Sequence, residues 1–397
     1  MVERFTNVGR RFNTDMFRLQ KSGVVYALVL ILAAVSIAAE VRGQPNYLRP
    51  VNVSNVLDQA SFVGLLAIFM TVVLITGNFD LSVGSVAAMS AALVLKSLDG
   101  HGLLVSVTIA LGASLLVGVL NGVLVQIVGV NAFIVTLGTL TGIRGLVLII
   151  TDGRAVSSKS DALVNFEAGT WYVPRALALA LGVTALLLAG CWYFWKVRGG
   201  DNRHDVPVGI WPVFIFGLVG VVIASAAPAL LVETKPTWFL IIAASLVGFV
   251  LKYTIVGRRL FASGGNSEAA RLSGISVARY KIGAFMLNGL AAGFVGLLYA
   301  GKFNAVDPTA LNGVELTVLA AAILGGTSLF GGIGSVGKSV VGALILFTLN
   351  NGFNILNLGA NFQGVVQGSV IIIATAVYTV SGSRRRNKKV KSKIIDE

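Results

Sequence analysis

The chain contains 397 residues, of which 55% are hydrophobic and 12% charged, and its formal net charge is +14. Soluble globular proteins carry about 25% charged residues, so a soluble fold and intrinsic disorder are both excluded. One cysteine, Cys191, and two distant histidines exclude an intrachain disulfide framework and a zinc site built from several thiolates. No metal or cofactor is expected. The mean hydropathy of +0.85 instead predicts an all-α, polytopic transmembrane helical bundle.

Twelve stretches approach the roughly 20 apolar residues that a helix needs to cross the hydrocarbon core of a membrane. They cover roughly 24–41, 60–76, 82–98, 103–128, 131–150, 175–195, 209–232, 237–252, 280–300, 316–331, 334–353 and 363–380. Some are short or rich in glycine, so ten spans with additional broken or re-entrant helices are the alternative to twelve. The 47 glycines favour close helix packing, and residues 1–397 are interpreted as a single transmembrane domain.

Basic residues are distributed unevenly between the two sides of this arrangement. If the N-terminal segment 1–23 lies in the cytoplasm and twelve spans alternate, 21 of the 31 lysines and arginines fall at cytoplasmic positions. They include a basic tail at 382–397, so both termini are expected in the cytoplasm. This asymmetry follows the positive-inside rule and accounts for the net charge without a nucleic acid partner. The first apolar stretch is interpreted as an uncleaved helix, with a signal peptide cleaved after Ala38 as the alternative.

The longest polar interruption in the second half of the chain is residues 257–281, GRRLFASGGNSEAARLSGISVARYK. The Gly-Gly pair at 264–265 is predicted to break the chain. Asn266 or Ser267 is then predicted to cap a short helix over 268–273, because their side chains can accept hydrogen bonds from the first free amides of a helix. The first turn of this helix contains an acidic residue, which the helix dipole favours.

Gly274 is predicted to end this short helix in a left-handed conformation. A helix of six or seven residues is marginal alone in water, so it needs a partner surface. Two interpretations follow. The segment is either a connecting loop that lies on the lipid headgroups, or a coupling helix that inserts into a groove of a cytoplasmic motor subunit.

The motif GGNSEAARLSGI, preceded by GRRLFA, resembles the cytoplasmic EAA-type loop of ATP-binding-cassette (ABC) importer permeases for monosaccharides, with the ribose- and xylose-type permeases as close relatives. Further motifs occur in the family's order: VSNVLDQ at 53–59, DLSVGS at 80–85, NG at 121–122, FIVTLGTLTGIRG at 133–145 and AAAILGGTSLFGGIGSVGKSVVGALI at 320–345. The additional basic loop and apolar segment at about 196–236 resemble the longer, xylose-type members. Two departures are Phe79, where isoleucine is usual, and Thr317, where an acidic residue is common.

The resemblance implies a membrane-spanning permease subunit of an ATP-driven importer in the bacterial cytoplasmic (inner) membrane, which carries a pentose such as xylose or ribose, or a related sugar. Its implied partners are a second permease copy, a cytoplasmic and tandem ABC ATPase, an extracytoplasmic sugar-binding protein and the lipid bilayer. The implied coupling loop spans 257–279. Its ATPase-coupling residues are Gly265, Asn266, Glu268, Ala269, Ala270, Arg271 and Gly274. A permease for a nucleoside or another small polyol, and an ion-coupled secondary sugar transporter, are the alternatives.

Residues 332–339 satisfy the phosphate-binding pattern G-x-x-x-x-G-K-S. That pattern requires a preceding strand, a following helix and an α/β sheet, whereas both flanks here are apolar membrane segments rich in alanine, leucine and glycine. The chain is therefore predicted to bind no nucleotide and to have no catalytic residues, so ATP hydrolysis must come from another chain.

The two halves of the chain resemble one another at two places. The Gly-Ser-Val sequence at 84–86 matches that at 334–336, and Asn121-Gly122 matches Asn351-Gly352. An internal repeat is therefore predicted. Transporters often place the substrate route where such halves meet, near broken helices.

Neutral amide side chains suit the hydroxyl groups of a sugar, so Asn121, Asn288 and Asn351 are the predicted residues of the translocation path. The alternative is that they only join helices by hydrogen bonds. Asp80 is predicted near the cytoplasmic face, where it caps the segment that starts at Ser82, with contact to the sugar as the alternative, and no acidic residue is expected in mid-span. Arg144 is predicted to bind backbone carbonyl groups, because an unpaired arginine is costly in a membrane, with a role in transport as the alternative.

Overall fold

The computed structural model describes residues 19–198 and 210–358, together with 364–365, 368–369 and 372. The described chain is almost entirely helical. Its helices are α1 (Leu19–Val41), α2 (Pro50–Ile75), α3 (Val83–Val123), α4 (Ala132–Thr151), α5 (Ala162–Glu167), α6 (Arg175–Arg198), α7 (Ile210–Ala226), α8 (Lys235–Tyr253), α9 (Ile255–Gly265), α10 (Ser267–Leu272), α11 (Val277–Phe303), α12 (Val314–Leu324) and α13 (Val336–Ile355). A π-helical turn, Leu124–Val128, extends α3, and a 3-10 turn covers Pro228–Leu231. The strands are β1 (Val156–Ser157), β2 (Thr170–Tyr172), β3 (Val232–Thr234) and β4 (Ala305–Val306).

Eight of the described helices are long and apolar enough to cross a membrane: α1, α2, α3, α4, α6, α8, α11 and α13. Helices α7 and α12 are apolar but shorter. The predicted all-α, polytopic fold is confirmed. Most of the predicted segment at 363–380 lies outside the described residues, as do the basic tail and most of the N-terminal segment.

The chain divides into two compact units. The smaller comprises Met1–Tyr26 and Thr170–Glu233, and the larger comprises Ala27–Gly169 and Thr234–Glu397. In the smaller unit, α6 and α7 pack closely where Gly182 faces Gly217. A Cβ atom on Gly217 would lie 2.8 Å from the Gly182 carbonyl oxygen, so only residues without a side chain allow this approach. Strand β2 pairs with β3, and the Val173 amide donates to the Leu231 carbonyl oxygen at 2.9 Å.

In the larger unit, α3 is a hairpin of two helical arms. Gly102 has a non-helical backbone, with φ 74° and ψ 171°. The Asn121 side chain donates to the Ser82 hydroxyl at 3.0 Å although 39 residues separate them, whereas the ends of a continuous helix of that length would lie about 60 Å apart. The chain therefore reverses at Gly102, and the separate spans predicted at 82–98 and 103–128 are the two arms.

Helix α11 packs against both arms of this hairpin through a row of glycines. A Cβ atom on Gly296 would lie 2.2 Å from the Ala87 carbonyl oxygen, and one on Gly289 would lie 2.6 Å from that of Ser114. The Ser90 hydroxyl donates to the Gly293 carbonyl oxygen at 2.8 Å. These close approaches form the centre of the unit and explain much of its glycine content.

We expect Gly296→Ala to lower the unfolding temperature of the purified protein in detergent, because the new methyl group overlaps the α3 backbone. Overpacking of this kind costs about 1–3 kcal/mol. The matched control is Gly283→Ala in the same helix, where a Cβ atom meets nothing within 4 Å. Alanine favours the helix over glycine by about 1 kcal/mol, so this variant should be at least as stable as the parent. Equal stability of the two variants would contradict the packing argument.

The span predicted at 316–331 is wrong as a continuous helix. Helix α12 covers 11 residues, or about 16 Å, about half the thickness of a hydrocarbon core. Gly326, Gly331 and Gly332 have positive φ angles, which residues with side chains rarely adopt, so the chain cannot continue as a helix. Residues 325–335 instead form a non-helical connection to α13, which agrees with the expected broken or re-entrant helices.

Candidate functional site

The predicted short helix of the polar loop is present as α10, Ser267–Leu272. The Asn266 side chain accepts a hydrogen bond from the Ala269 amide at 3.0 Å and caps the helix. Gly274 follows with φ 76°, and the Ile275 amide donates to the Ala270 carbonyl oxygen at 3.0 Å. The predicted N-terminal cap and left-handed end are therefore both confirmed.

The segment 265–274, which contains α10, presents all but one of the seven predicted coupling residues on an exposed surface. Gly265, Asn266, Glu268, Ala269, Arg271 and Gly274 are exposed, and Ala270 is buried. Glu268 accepts a hydrogen bond from Arg271 at 2.8 Å, in an ion pair whose side chains are 67% and 71% exposed. Such exposed pairs contribute little to stability, so these charges are available to a partner. Their role in coupling stays a prediction.

The prediction that the Gly264-Gly265 pair breaks the chain is wrong by one residue. Both glycines end helix α9, and the break falls at Asn266, whose φ is −155°. Helix α9 is absent from the sequence-based predictions because paired glycines usually end regular structure. The buried residues of α9, Gly257, Leu260 and Ser263, recur every three positions, as on one side of a helix.

Two of the three predicted path residues meet Asp80 in a buried polar network. The Asp80 carboxylate accepts hydrogen bonds from the Ser82 amide at 2.9 Å, the Ser82 hydroxyl at 2.6 Å and the Asn288 side chain at 3.1 Å. Asn121 donates to Ser82 at 3.0 Å and accepts from the Thr139 hydroxyl at 2.6 Å. Asp80, Ser82, Asn121 and Asn288 are at most 1% exposed. This network therefore joins the two arms of α3 to α4 and α11.

The predicted position of Asp80 near the cytoplasmic face is wrong. Asn288, its partner, is the twelfth residue of the 27-residue helix α11, so Asp80 lies beside the middle of a span. Alternating spans at 60–76 and 82–98 predict that residues 77–81 form a turn at the cytoplasmic surface. They are instead a connection buried among helices. The predicted capping is wrong in detail, because Ser82 is the N-terminal cap of α3 and makes no side-chain capping hydrogen bond. Asp80 instead accepts from the Ser82 amide directly before the helix.

Asn351, the third predicted path residue, does not join this network. It lies on α13, and its side-chain oxygen has no hydrogen-bond partner within the described part of the chain. The side-chain oxygen of Asn288 likewise has no described partner. The two buried acceptors lie on different helices, so the predicted path residues are not gathered at one site.

Arg144 and Glu315, both half-buried, lie next to Gly84 at a second polar position. Arg144 donates to the Ala310 carbonyl oxygen at 2.6 Å, which confirms its predicted pairing with a backbone carbonyl. A Cβ atom on Gly84 would lie 2.5 Å from Glu315 Oε2 and 3.6 Å from Arg144 Nη2. Neither of these two atoms has a partner among the residues described. An acidic and a basic group thus face the first turn of α3, where only glycine leaves room for them.

Glu315 is not among the predicted site residues, although the sequence contains a pattern that points to it. Asp80-Leu81-Ser82-Val83 and Glu315-Leu316-Thr317-Val318 share the order acid, leucine, hydroxyl, valine. Each occurs where a helix starts, α3 at Val83 and α12 at Val314, and Gly84 brings the two starts together. In this match, the start of α3 in the first half corresponds to the start of α12 in the second half. The predicted match of 84–86 with 334–336 instead makes the start of α3 correspond to the start of α13.

A charged cluster lies near the C-terminal end of α11 in the larger unit. Asp58 forms an ion pair with Lys302 and accepts a hydrogen bond from the Thr234 hydroxyl at 2.7 Å. Glu167 on α5 is buried nearby, and this burial raises its pKa above the ordinary value, while the charge of Lys302 opposes that shift. Strand β1 pairs antiparallel with β4, with Val156 opposite Val306, and both strands contact the α3 hairpin. Together these contacts fix the segment 156–167 over the ends of α2 and α11.

Residues 332–339, which fit the phosphate-binding pattern but were predicted to bind no nucleotide, follow one helix and enter the next. Helix α12 precedes it and α13 begins at Val336. The strand that a phosphate-binding loop requires is therefore replaced by a helix.

Comparison with known proteins supplies the evidence on family. Residues 52–375 match the model of a family described as branched-chain amino acid transport system / permease component. The xylose transport system permease protein XylH of Escherichia coli K12 is 34% identical over 374 residues, which cover 91% of this chain and 93% of that protein. The ribose import permease protein RbsC of the same strain is 32% identical over 93% of this chain and 96% of its own length. RbsC of Bacillus subtilis is 33% identical over 90% and 92%, respectively. No solved structure matches the chain significantly.

Proposed function

The chain belongs to the branched-chain amino acid transport system / permease component family, and from this premise we propose that it is the membrane-spanning subunit of an ATP-driven monosaccharide importer. It is a multi-pass membrane permease and a transporter subunit rather than an enzyme. One observation carries the proposal of a sugar substrate. Relatives that match more than nine-tenths of the chain are permeases named for xylose and ribose transport.

A pentose such as xylose or ribose is the proposed substrate. Its hydroxyl groups both donate and accept hydrogen bonds, so neutral amide side chains suit its passage. Asn121, Asn288 and Asn351 remain the proposed path residues, and the unpartnered oxygens of Asn288 and Asn351 support the last two. The Asp80 network is fully buried in this conformation, so a sugar reaches it only if the helices around it separate.

The proposed motor is a separate cytoplasmic ABC ATPase, arranged as a tandem polypeptide, that receives α10 in a groove. Exposure of Glu268 and Arg271 supports this docking. One permease copy supplies one such loop, whereas an ABC motor works as two nucleotide-sandwiching halves, so a permease homodimer is the proposed symmetric assembly. An extracytoplasmic binding protein delivers the sugar, and the proposed location is the bacterial inner membrane.

The test is reconstitution of the full-length permease with its ATPase and binding protein in liposomes. We expect labelled xylose or ribose to accumulate only when ATP and the binding protein are both supplied. A panel that includes other pentoses, hexoses, nucleosides and polyols identifies the substrate class. Uptake driven by an ion gradient without ATP would contradict the importer proposal, and ATP-dependent uptake of nucleosides alone would contradict the sugar assignment.

The proposed orientation places both termini in the cytoplasm. We therefore expect a reporter enzyme that is active only outside the cytoplasm to be silent when it is fused after Glu397. The basic tail before this position supports that orientation. The matched control is the same reporter fused after Gln44, between α1 and α2, which should be active. Activity after Glu397 at the level of the control would overturn the orientation.

A further inference from the structure

Three backbone segments cross in direct contact beside the loop that contains α10. They are the C-terminal end of α9, the end of α2 with the residues that follow it, and the connection 325–335. The Gly332 amide donates to the Ile75 carbonyl oxygen at 2.9 Å. A Cβ atom on Gly264 would lie 1.7 Å from that same oxygen, and one on Gly331 would lie 2.6 Å from the Gly264 carbonyl oxygen. No side chain fits between these segments, and we name their meeting point the glycine crossing.

Each segment leads from the glycine crossing to a different functional element. Gly265 is the last residue of α9, and only Asn266 separates it from α10. Ile75 ends α2 and begins the connection that contains Asp80. Residues 325–335 join α12, which starts beside Gly84, to α13. The glycine crossing therefore connects the proposed ATPase-docking helix with both polar positions of the bundle, the Asp80 network and the Arg144–Glu315 position.

A hydroxyl cluster next to the crossing secures two of these segments. Thr71 on α2 and Ser339 on α13 share a hydrogen bond at 2.7 Å, and the Thr327 and Ser339 hydroxyl groups lie 3.4 Å apart. All three side chains are at most 2% exposed. Closely packed backbones joined by buried hydrogen bonds are displaced together, because packed interiors compress very little.

We infer that the glycine crossing is the joint that transmits motion of α10 to the interior of the permease, with Gly264, Gly331 and Gly332 as its positioning residues. This inference rests on the proposed function, in which an ATPase moves α10. Motion of α9 shifts Ile75 and the 325–335 connection together, because Gly264 and Gly265 contact both without intervening side chains. The starts of α3 and α12 then move relative to α11.

Substitution of glycines inside and just outside the crossing tests the joint. Gly264→Ala places a methyl group into the Ile75 backbone, whereas a Cβ atom on Gly337, two residues after the connection, meets nothing within 4 Å. We expect Gly264→Ala to retain ATPase binding but to lose sugar uptake, and Gly337→Ala to keep both. Equal uptake by the two variants, with both present in the membrane at normal level, would overturn the inference.

A distance measurement tests the joint even if Gly264→Ala fails to fold. In a Cys191→Ser background, spin labels are attached to Arg258→Cys on α9 and Phe330→Cys in the connection, both exposed positions. The reference pair is Arg258→Cys with His101→Cys at the exposed turn of the α3 hairpin. Distances are measured in the complete transporter, without nucleotide and with ATP trapped.

The expected result is an unchanged 258–330 distance and a changed 258–101 distance between the two nucleotide states. If both distances change, the crossing does not move as one body and the joint is refuted, while the proposed coupling loop survives. If neither distance changes, α9 does not respond to the ATPase. That result would contradict the proposed coupling function itself and the joint with it.

Discussion

Gly274→Val is expected to abolish both sugar uptake and sugar-stimulated ATP hydrolysis while the permease still inserts into the membrane. Gly274 has φ 76°, and a β-branched residue in this left-handed region costs about 1–3 kcal/mol. A Cβ atom at this position meets nothing within 4 Å, so the effect comes from the backbone alone. The chain that leaves α10 is redirected, and a helix of six residues has too little stability of its own to resist.

The control for this prediction is Gly274→Asn. Asparagine adopts the left-handed conformation far more readily than valine, so this variant should keep most of the uptake. Both variants are measured at matched membrane levels in the assembled transporter. Near-normal uptake by Gly274→Val, or equal loss in both variants, would contradict the coupling assignment.

A charge reversal examines the same docking surface independently of the backbone. Glu268→Lys replaces the ion pair with Arg271 by a repulsion and puts a cation at the positive end of the helix dipole. We expect reduced binding of the ATPase together with reduced uptake. Combined with Gly274→Val it should leave no coupled transport, and near wild-type import by the double variant would show that 257–279 is only a connecting loop.

Local patterns in the sequence account for the features that were predicted correctly. Apolar segments give the helices of the bundle, and single residues set their ends. Asn266, for example, accepts a hydrogen bond from the Ala269 amide and starts α10, and Gly274 with its positive φ ends it. Such caps involve residues only a few positions apart, so composition and spacing reveal them. The prediction of one domain over 1–397 stays a prediction.

Contacts between distant residues account for what was missed. Asp80 and Asn288 are 208 residues apart, and nothing near residue 80 indicates that a polar connection runs among helices. The meeting of Gly84 with Glu315 is equally non-local. The sequence does repeat the order acidic residue, leucine, hydroxyl residue and valine at 80–83 and 315–318. This repeat can be interpreted only after the structure shows that both segments lie at the starts of neighbouring helices. The glycine crossing depends on three segments that no local pattern relates.

Asp80→Ala is expected to remove most of the folded permease from the membrane. The substitution leaves the Ser82 amide, the Ser82 hydroxyl and the Asn288 amide group without their shared acceptor. Each buried polar group that loses its partner costs about 1–3 kcal/mol, and a native fold is stable by only about 5–15 kcal/mol. The measurement is the amount of permease that remains monodisperse after extraction, together with its unfolding temperature.

Asp80→Asn separates the structural role of this residue from a role of its charge. The amide has the shape of the carboxyl group, and its oxygen still accepts from Ser82. Its amide group donates to Asn288 once the Asn288 side chain turns to present its oxygen, which has no partner among the described residues. We therefore expect folded protein and substantial uptake. If Asp80→Asn folds normally and transports no sugar, the negative charge itself takes part in transport, and the interpretation of Asp80 as only a connector of helices is insufficient.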